Sequence, residues 1–153
     1  MTILYFILLL ALDQGTKYWT RVYLRPRGSI SLIGDFFHLT YVENRGAAFG
    51  ILQGQAILFV IITIVAILLL YYYYIRQQNK NGKYLKFLSF ILLMIAAGAC
   101  GNLIDRVFLG FVTDMIDVRG IWTFVFNVAD IYVVCGTILL CFYILKFDAE
   151  NDR

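Results

Sequence analysis

The sequence is poor in charged residues and in histidine, and both shortages exclude classes of function. Only 15% of its 153 residues are charged and 61% are hydrophobic, which is far from the composition of soluble domains. The net charge of +3 is too small and too dispersed to suggest a nucleic-acid partner. His38 is the only histidine, and no partner spacing supports its use in a Ser–His or Cys–His catalytic system.

The few cysteines give no sign of a metal site or of a disulfide framework. Cys100, Cys135 and Cys141 all fall inside apolar runs, without a CxxC motif or a Cys/His spacing. We interpret them as small core residues, because free cysteine is often buried. The sequence therefore predicts no metal and no other cofactor.

Long apolar runs dominate the sequence. They lie near 2–12, 56–75, 87–104 and 128–145, and the first reaches the roughly 20 residues of a membrane span if it continues to about Tyr23. It has no basic n-region, so we expect a retained helix rather than a cleaved signal peptide. The predicted fold is an all-α membrane protein, with the whole chain 1–153 as one integral membrane domain. Its four transmembrane helices are predicted near 2–23, 56–75, 87–105 and 127–146.

The charge distribution predicts the orientation of this bundle. Segment 76–86 holds four basic residues and no acid, so the positive-inside rule places it in the cytoplasm. Both termini are then cytoplasmic, and the loops 24–55 and 106–126 are extracytoplasmic. The stretch ISLIGDFFHLTYVEN in the first outer loop is rich in β-branched and aromatic residues around Gly34–Asp35, which predicts a small β-rich segment between helices one and two.

Polar side chains concentrate at the outer ends of the predicted helices. Helix three runs outward and helix four runs inward, so the polar residues at their adjoining ends reach the same side of the membrane. A charged side chain near the bilayer centre costs roughly 2.5–3.5 kcal/mol on insertion scales, so such residues indicate function. The residues that converge are Asn44, Arg45, Asn102, Asp105, Arg106, Asp114, Asn127 and Asp130.

Asp114 and Asp130 are the candidates for chemistry in this group. Two close carboxylates share a proton, so one can activate water while the other donates a hydrogen bond to a peptide carbonyl. The alternative role for both aspartates is helix N-capping or a loop contact to Arg119. Asp13 and Lys17, four residues apart on the first helix, are interpreted as a supporting ion pair.

Five motifs in order give the chain a specific resemblance. They are DQGTK at 13–17, YVENRGAAFG at 41–50, GNLIDR at 101–106, VTDMID at 112–117 and FNVAD at 126–130. At these residues the chain resembles the lipoprotein signal peptidases, or type II signal peptidases, which are bacterial intramembrane aspartic proteases. Pattern matching alone selects Asp114 over the nearby Asp105 and Asp117, and we interpret Asp105 as an ion-pair residue beside Arg106.

The resemblance implies a role for each matched residue and a substrate. Asp114 and Asp130 would be the catalytic dyad, and the other matched residues would line or support the site: Asn44, Asn102, Arg106, Asn127, Asp13 and Lys17. The implied substrate is a prolipoprotein with a diacylglyceryl-modified cysteine, cut just before that cysteine. The implied location is the bacterial cytoplasmic membrane, with membrane lipids as further partners and the site near the extracytoplasmic face.

Two other classes of function are compatible with parts of the sequence. A small proton-coupled carrier would use intramembrane Asp/Lys pairs as relays, but it predicts polar residues through the full thickness of the bundle. A non-catalytic assembly or anchor protein leaves the paired aspartates unexplained. The sequence leaves open the oligomeric state and which aspartate is the resting base.

Overall fold

Four long helices and a small sheet make up most of the described part of the chain. The structure is a computed structural model, and it describes residues 2–46, 56–79 and 84–148. Residues 47–50 of the motif YVENRGAAFG, the rest of that segment to 55, and Lys80 and Lys83 of the basic segment lie outside the described residues. The helices are α1 (Thr2–Trp19), α2 (Ala56–Asn79), α3 (Leu85–Leu109) and α4 (Val128–Tyr143). The strands are β1 (Ser29–Ile33), β2 (Phe37–Asn44) and β3 (Val112–Val118).

Two helices continue past their α-helical ends as π-helical turns. The first turn, Thr20–Leu24, extends α1, and the second, Ile144–Asp148, extends α4. At the end of α3, Gly110 adopts φ +78° and its N–H bonds to the Arg106 carbonyl at 3.1 Å. Glycine suits this left-handed position because it carries no Cβ. The chain therefore turns sharply out of α3 and into β3.

Three of the described helices are long and apolar enough to cross a membrane. Their candidate spans are Ile57–Gln78, Leu85–Leu109 and Val128–Phe147, with mean hydropathies of 2.5, 2.2 and 2.2. The helix α1, which carries Asp13 and Lys17, is not among them. The prediction of a mostly helical membrane protein with a small β-rich segment is confirmed. The count of four transmembrane helices stays a prediction.

The sheet is antiparallel, with the strand order β1-β2-β3. Gly34, at φ +48°, forms the turn between β1 and β2, as the Gly34–Asp35 step predicted. The third strand comes from segment 106–126, which the sequence alone predicts to be a loop. Asp114 lies opposite Val42 on β2, and a register shift between Leu39 and Val42 bends β2 beside this pair.

The helix α3 is central, since it packs against α1, α2 and α4. Its contacts with α4 are close because glycines face the partner helix. A Cβ at Gly98 would collide with the Ala129 carbonyl, and a Cβ at Gly136 on α4 would lie 2.5 Å from Ile95 Cγ1. Small residues at such crossings let helices approach in a membrane. The crossing holds the start of α4 against the second half of α3, where the polar residues of both helices lie.

The predicted core location of the cysteines is wrong for two of the three. Cys135 and Cys141 are exposed on α4, and Cys100 on α3 is half-buried. The reason is that these helices are apolar on all sides, so the sequence does not show which face is buried. The buried apolar cluster consists instead of Leu88, Ile91, Leu92, Ile95 and Tyr143.

Candidate active site

Asp114 is a buried carboxylate held by two asparagine amides. It lies on β3 with 1% of its surface exposed. Asn127 Nδ2 donates to its Oδ1 at 2.6 Å, and Asn44 Nδ2 donates to its Oδ2 at 3.0 Å. Burial, with a further contribution from the negative charge of Asp130, raises the pKa of Asp114 to about 7. The carboxyl group therefore changes its charge near neutral pH.

Asp130 lies in the first turn of α4, in a capping box with Asn127. Asp130 N donates to Asn127 Oδ1 at 3.0 Å, and Asn127 N donates to Asp130 Oδ2 at 3.1 Å. This reciprocal pair satisfies amides that the helix itself leaves free. The remaining oxygen, Asp130 Oδ1, accepts from Asn102 Nδ2 at 2.8 Å, and the residue is half-buried. The capping role that the sequence left open for Asp130 is therefore present.

Asn127 joins the two aspartates, because it bonds to both. Its side-chain amide reaches Asp114, and its backbone amide reaches Asp130. The same side-chain nitrogen lies 3.3 Å from Asn102 Oδ1, which closes a ring of amides around the two carboxyl groups. The structure thus brings together five of the residues singled out from the sequence, from four separate elements: Asn44 on β2, Asn102 on α3, Asp114 on β3, and Asn127 and Asp130 at the start of α4.

Lys17 lies behind this ring with no exposed surface. Its Nζ donates to Asn102 Oδ1 at 2.8 Å and lies 3.0 Å from Asp13 Oδ2 and 3.6 Å from Asp105 Oδ2. A buried ammonium is stable only when it is paired and hydrogen-bonded, and this one has three partners. Lys17 therefore fixes the orientation of the Asn102 amide that reaches Asp130.

Asp13 connects α1 to the start of α4. Its Oδ1 accepts from the backbone N–H of Ala129 at 3.0 Å, and its Oδ2 accepts from Gln14 Nε2 at 3.0 Å. A Cβ at Gly101 would collide with this carboxylate, so glycine is required for the close approach of α3. Asp13 holds the residue next to Asp130 and contacts neither Asp114 nor Asp130 in any recorded hydrogen bond. The supporting role of Asp13 stays a prediction.

Asp105 also belongs to this network, through partners that the sequence did not reveal. The predicted ion pair with the adjacent Arg106 is absent among the recorded contacts of the described residues. Asp105 instead accepts from Thr113 N at 2.9 Å and lies 3.5 Å from Arg21 Nη1, in addition to its contact with Lys17. Asn102 and Asp105 are three residues apart, so they share one face of α3. This spacing could have indicated that Asp105 faces the same partners as Asn102.

Arg106 lies at the edge of the site with its guanidinium over an aromatic ring. Its Cζ is 5.2 Å from the centroid of Phe59 on α2, and Nη1 lies 3.5 Å from the Asn102 carbonyl. Within residues 2–46, 56–79 and 84–148, no ion pair of Arg106 falls inside 4 Å. The donors of this guanidinium are therefore not committed to a carboxylate.

His38 lies apart from the candidate site. His38 pairs with Asp117 across β2 and β3, on the part of the sheet beyond the register shift. No group of three or more His, Cys, Asp or Glu side chains in the described part of the chain could hold a metal ion. The candidate site therefore consists of two carboxyl groups surrounded by amides, at the junction of the helices and the sheet.

Comparisons with known proteins match the chain over nearly its whole length. The family model described as signal peptidase (SPase) II matches residues 5–146. A lipoprotein signal peptidase of Clostridioides difficile is 47% identical over 149 residues, which are 97% of each chain. One from Caldanaerobacter subterraneus is 49% identical over 129 residues, covering 84% of this chain and 85% of that protein.

The fold is matched by solved structures as well. A bacterial membrane enzyme determined by the in meso method at 2.3 Å resolution superposes with a TM-score of 0.87 at 36% identity. The match covers 99% of this chain and 91% of that chain. A second bacterial membrane enzyme, at 1.9 Å resolution, gives a TM-score of 0.82 at the same identity. Motifs, fold and relatives agree, and the chain belongs to the signal peptidase II family.

Proposed function

We propose that this protein is an intramembrane aspartic endopeptidase with Asp114 and Asp130 as its catalytic dyad. The observation that carries the proposal is the single residue Asn127, which bonds to both carboxyl groups and holds them in one amide-lined site. No other pair of carboxylates in the described part of the chain is joined in this way while lacking a Lys or Arg within 4 Å.

The two carboxyl groups are suited to share one proton. Because burial raises the pKa of Asp114 to about 7, this residue holds a proton below neutral pH and in about half of the molecules at neutral pH. Asp130 then acts as the base that takes a proton from water, and the water oxygen attacks the peptide carbonyl carbon. Asp114 gives its proton to the carbonyl oxygen. When the tetrahedral intermediate collapses, the C–N bond breaks and the leaving amine takes the proton held by Asp130. One hydroxyl of the intermediate returns its proton to Asp114 as the carboxylic acid product forms.

The surrounding residues hold this geometry. Asn44 and Asn127 bind the two oxygens of Asp114, and Asn102, itself fixed by Lys17, binds Asp130. Preorganised polar groups of this kind need no rearrangement during the reaction. Arg106 has uncommitted donors at the site edge, and we assign it to substrate binding.

The substrate we propose is a lipid-modified precursor of a lipoprotein, cut just before its diacylglyceryl-modified cysteine. The support is the name lipoprotein signal peptidase, which many relatives carry. The position of the site supports it too, because a lipid-anchored peptide lies at the membrane surface. The dyad lies where α3 ends and α4 begins, at the sheet end of the bundle.

We further propose that α1 is the fourth transmembrane helix. With its π-helical turn it runs from Thr2 to Leu24. At about 1.5 Å per residue it would be roughly 34 Å long, enough for a hydrocarbon core of about 30 Å. Its charged pair Asp13–Lys17 is buried within the bundle, which lowers the cost of insertion. Both termini then face the cytoplasm of a bacterial cell, and the sheet faces outward.

The carrier hypothesis finds less support. It requires polar groups across the bundle, yet the polar network occupies only the sheet end of α1, α3 and α4. At the opposite end of α3 and α4, the buried cluster is formed by aliphatic residues and Tyr143.

The test is cleavage of a purified diacylglyceryl-modified precursor by Asp114→Asn and Asp130→Asn variants. Each change should lower kcat by at least roughly 10³-fold, since each removes one member of a cooperating pair. Asp117→Asn is the matched control: it lies on the same strand, bonds to Thr40 and Arg119, and should keep most activity. Normal cleavage by either dyad variant, in protein that is folded and inserted, would contradict the proposal.

A further inference from the structure

An apolar groove lies between α1 and the sheet, near the proposed dyad but lined by neither of its aspartates nor by the asparagines that hold them. Its volume is about 490 Å³, within the range of roughly 300–1,000 Å³ found for sites of small ligands. Asp114 bonds to Asn127, whereas the two residues that follow it on β3, Met115 and Ile116, line the groove. The lining residues are Ala11, Leu12, Gly15, Thr16, Trp19, Thr20, Phe37, Leu39, Met115, Ile116 and Val128.

One polar atom of this groove lacks a partner. Thr20 has no exposed surface, and its hydroxyl makes no hydrogen bond within the described residues. The contrast with Thr16, one turn earlier, is informative, because Thr16 Oγ1 donates to the Asp13 carbonyl at 2.8 Å. A buried hydroxyl without a partner is uncommon in native structures and costs free energy. The groove therefore offers apolar walls and one unused hydrogen-bond donor.

Aromatic side chains show where this groove lies relative to the membrane. Trp19 and Tyr23, at the sheet end of α1, are exposed, and their rings lie 6.1 Å apart. Trp and Tyr are enriched at the headgroup level of a bilayer. Leu12, on the same face and closer to the bundle middle, is also exposed. With α1 as the proposed fourth transmembrane helix, the groove would extend from the headgroup level toward the acyl chains of one leaflet.

We propose that the groove binds one glycerophospholipid of the surrounding leaflet, as a structural ligand distinct from the substrate. One acyl chain lies against the apolar walls, and Thr20 Oγ1 donates to the ester carbonyl of that chain. A bilayer lipid is favoured over the substrate's own lipid because neither aspartate of the dyad lines the groove. The bound lipid supports Met115, and through it the strand that carries Asp114.

Gly15 provides a way to fill the groove without disturbing the fold. It lines the groove, and a Cβ at this position would meet no atom within 4 Å. The Gly15→Leu variant should therefore occupy the space of the acyl chain. The matched control is Leu8→Trp, which adds bulk two turns earlier on the same helix, at an exposed position outside the groove.

The first measurement is native mass spectrometry of protein in mild detergent with added dipalmitoyl phosphatidylglycerol. The wild type and Leu8→Trp should carry one lipid, and Gly15→Leu should bind it roughly tenfold more weakly, a change typical of the loss of one buried contact. Equal binding by all three proteins would overturn the proposal, as would equal loss in the control. Lipid binding needs no catalysis, so it can be tested in the inactive Asp114→Asn protein, independently of the proposed protease activity.

The second measurement isolates the Thr20 hydroxyl and does not depend on folding of the Gly15 variant. Thr20→Val keeps the shape of the side chain and removes the donor. It should weaken binding of the diester lipid about fivefold, the effect of one neutral hydrogen bond, and leave binding of the diether analogue at its wild-type value. An equal effect on both lipids would show that no ester carbonyl is recognised. If Gly15→Leu instead raised KM only for precursors with long acyl chains, the occupant would be the substrate, and the assignment would fail.

Discussion

Two groups of carboxylates lie close together in this protein and are stabilised in different ways. Asp13 and Asp105 surround the buried ammonium of Lys17, with Arg21 also beside Asp105. Asp114, by contrast, receives hydrogen bonds only from neutral amides, and so does Asp130. The first group holds helices together, whereas neither aspartate of the second pair has a Lys or Arg of the described residues within 4 Å to hold its charge. This difference indicates that the acids of the second pair, and not those of the first group, are free to exchange protons.

We expect the largest effect, a loss of folding stability, when the cation is removed from the first group. Lys17→Met would leave Asp13 and Asp105 buried beside one half-buried arginine. Removing one partner of a buried ion pair typically costs 3–5 kcal/mol, so we expect about 4 kcal/mol of destabilisation. Thermal unfolding in detergent, followed by circular dichroism, measures it. The double variant Lys17→Met with Asp13→Asn should regain part of the lost stability, and failure to do so would argue against the pairing.

A smaller effect is expected where α3 approaches Asp13. Gly101→Ala would place a Cβ against the Asp13 carboxylate, and such overpacking typically costs about 1–3 kcal/mol. Gly15→Ala is the control, because its Cβ meets open space and should leave stability unchanged or slightly raised. The comparison uses the unfolding temperatures of the two variants. Equal temperatures would show that Asp13 can move aside freely.

The second group should respond differently, with a larger loss of activity than of stability. Asn127→Ala removes a helix cap, worth about 1 kcal/mol, and the amide that bonds to Asp114. We expect kcat to fall roughly 100-fold, comparable to the removal of one preorganised donor, with KM little changed. Steady-state cleavage together with an unfolding curve tests this. A loss of stability as large as that of Lys17→Met, without a loss of kcat, would erase the distinction between the groups.

Helix spacing explains how much of the site was predictable. Asn127 and Asp130 are three residues apart, and Lys17 lies four residues after Asp13, so each pair shares a helix face in any helical model. The convergence at one end of the bundle followed from the alternating direction of successive helices.

Long-range pairing explains what the sequence did not reveal. Segment 112–118 becomes a strand only because it pairs with β2, which is distant in the sequence. The paired residues Asn44 and Val112, for example, are 68 positions apart. Its own residues did not distinguish a strand from a loop. The link from Asp105 to the backbone of Thr113 depends on that pairing, and so it was missed. The placement of the cysteines on α4 was missed because a helix apolar on all sides does not show which face is buried.

Titration of the Asp114 carboxyl group tests most directly whether the amide-held pair keeps a proton. Infrared difference spectra of the wild type against Asp114→Asn would follow the carbonyl stretch of a protonated carboxyl from about pH 5 to about pH 9, a range that spans the raised pKa. Since the pKa of Asp114 is raised to about 7, the band should be present below that pH and disappear as pH rises through it. Activity toward the lipidated precursor should fall over the same range. A band that is already absent near pH 5 would contradict the shared proton and, with it, the proposed dyad.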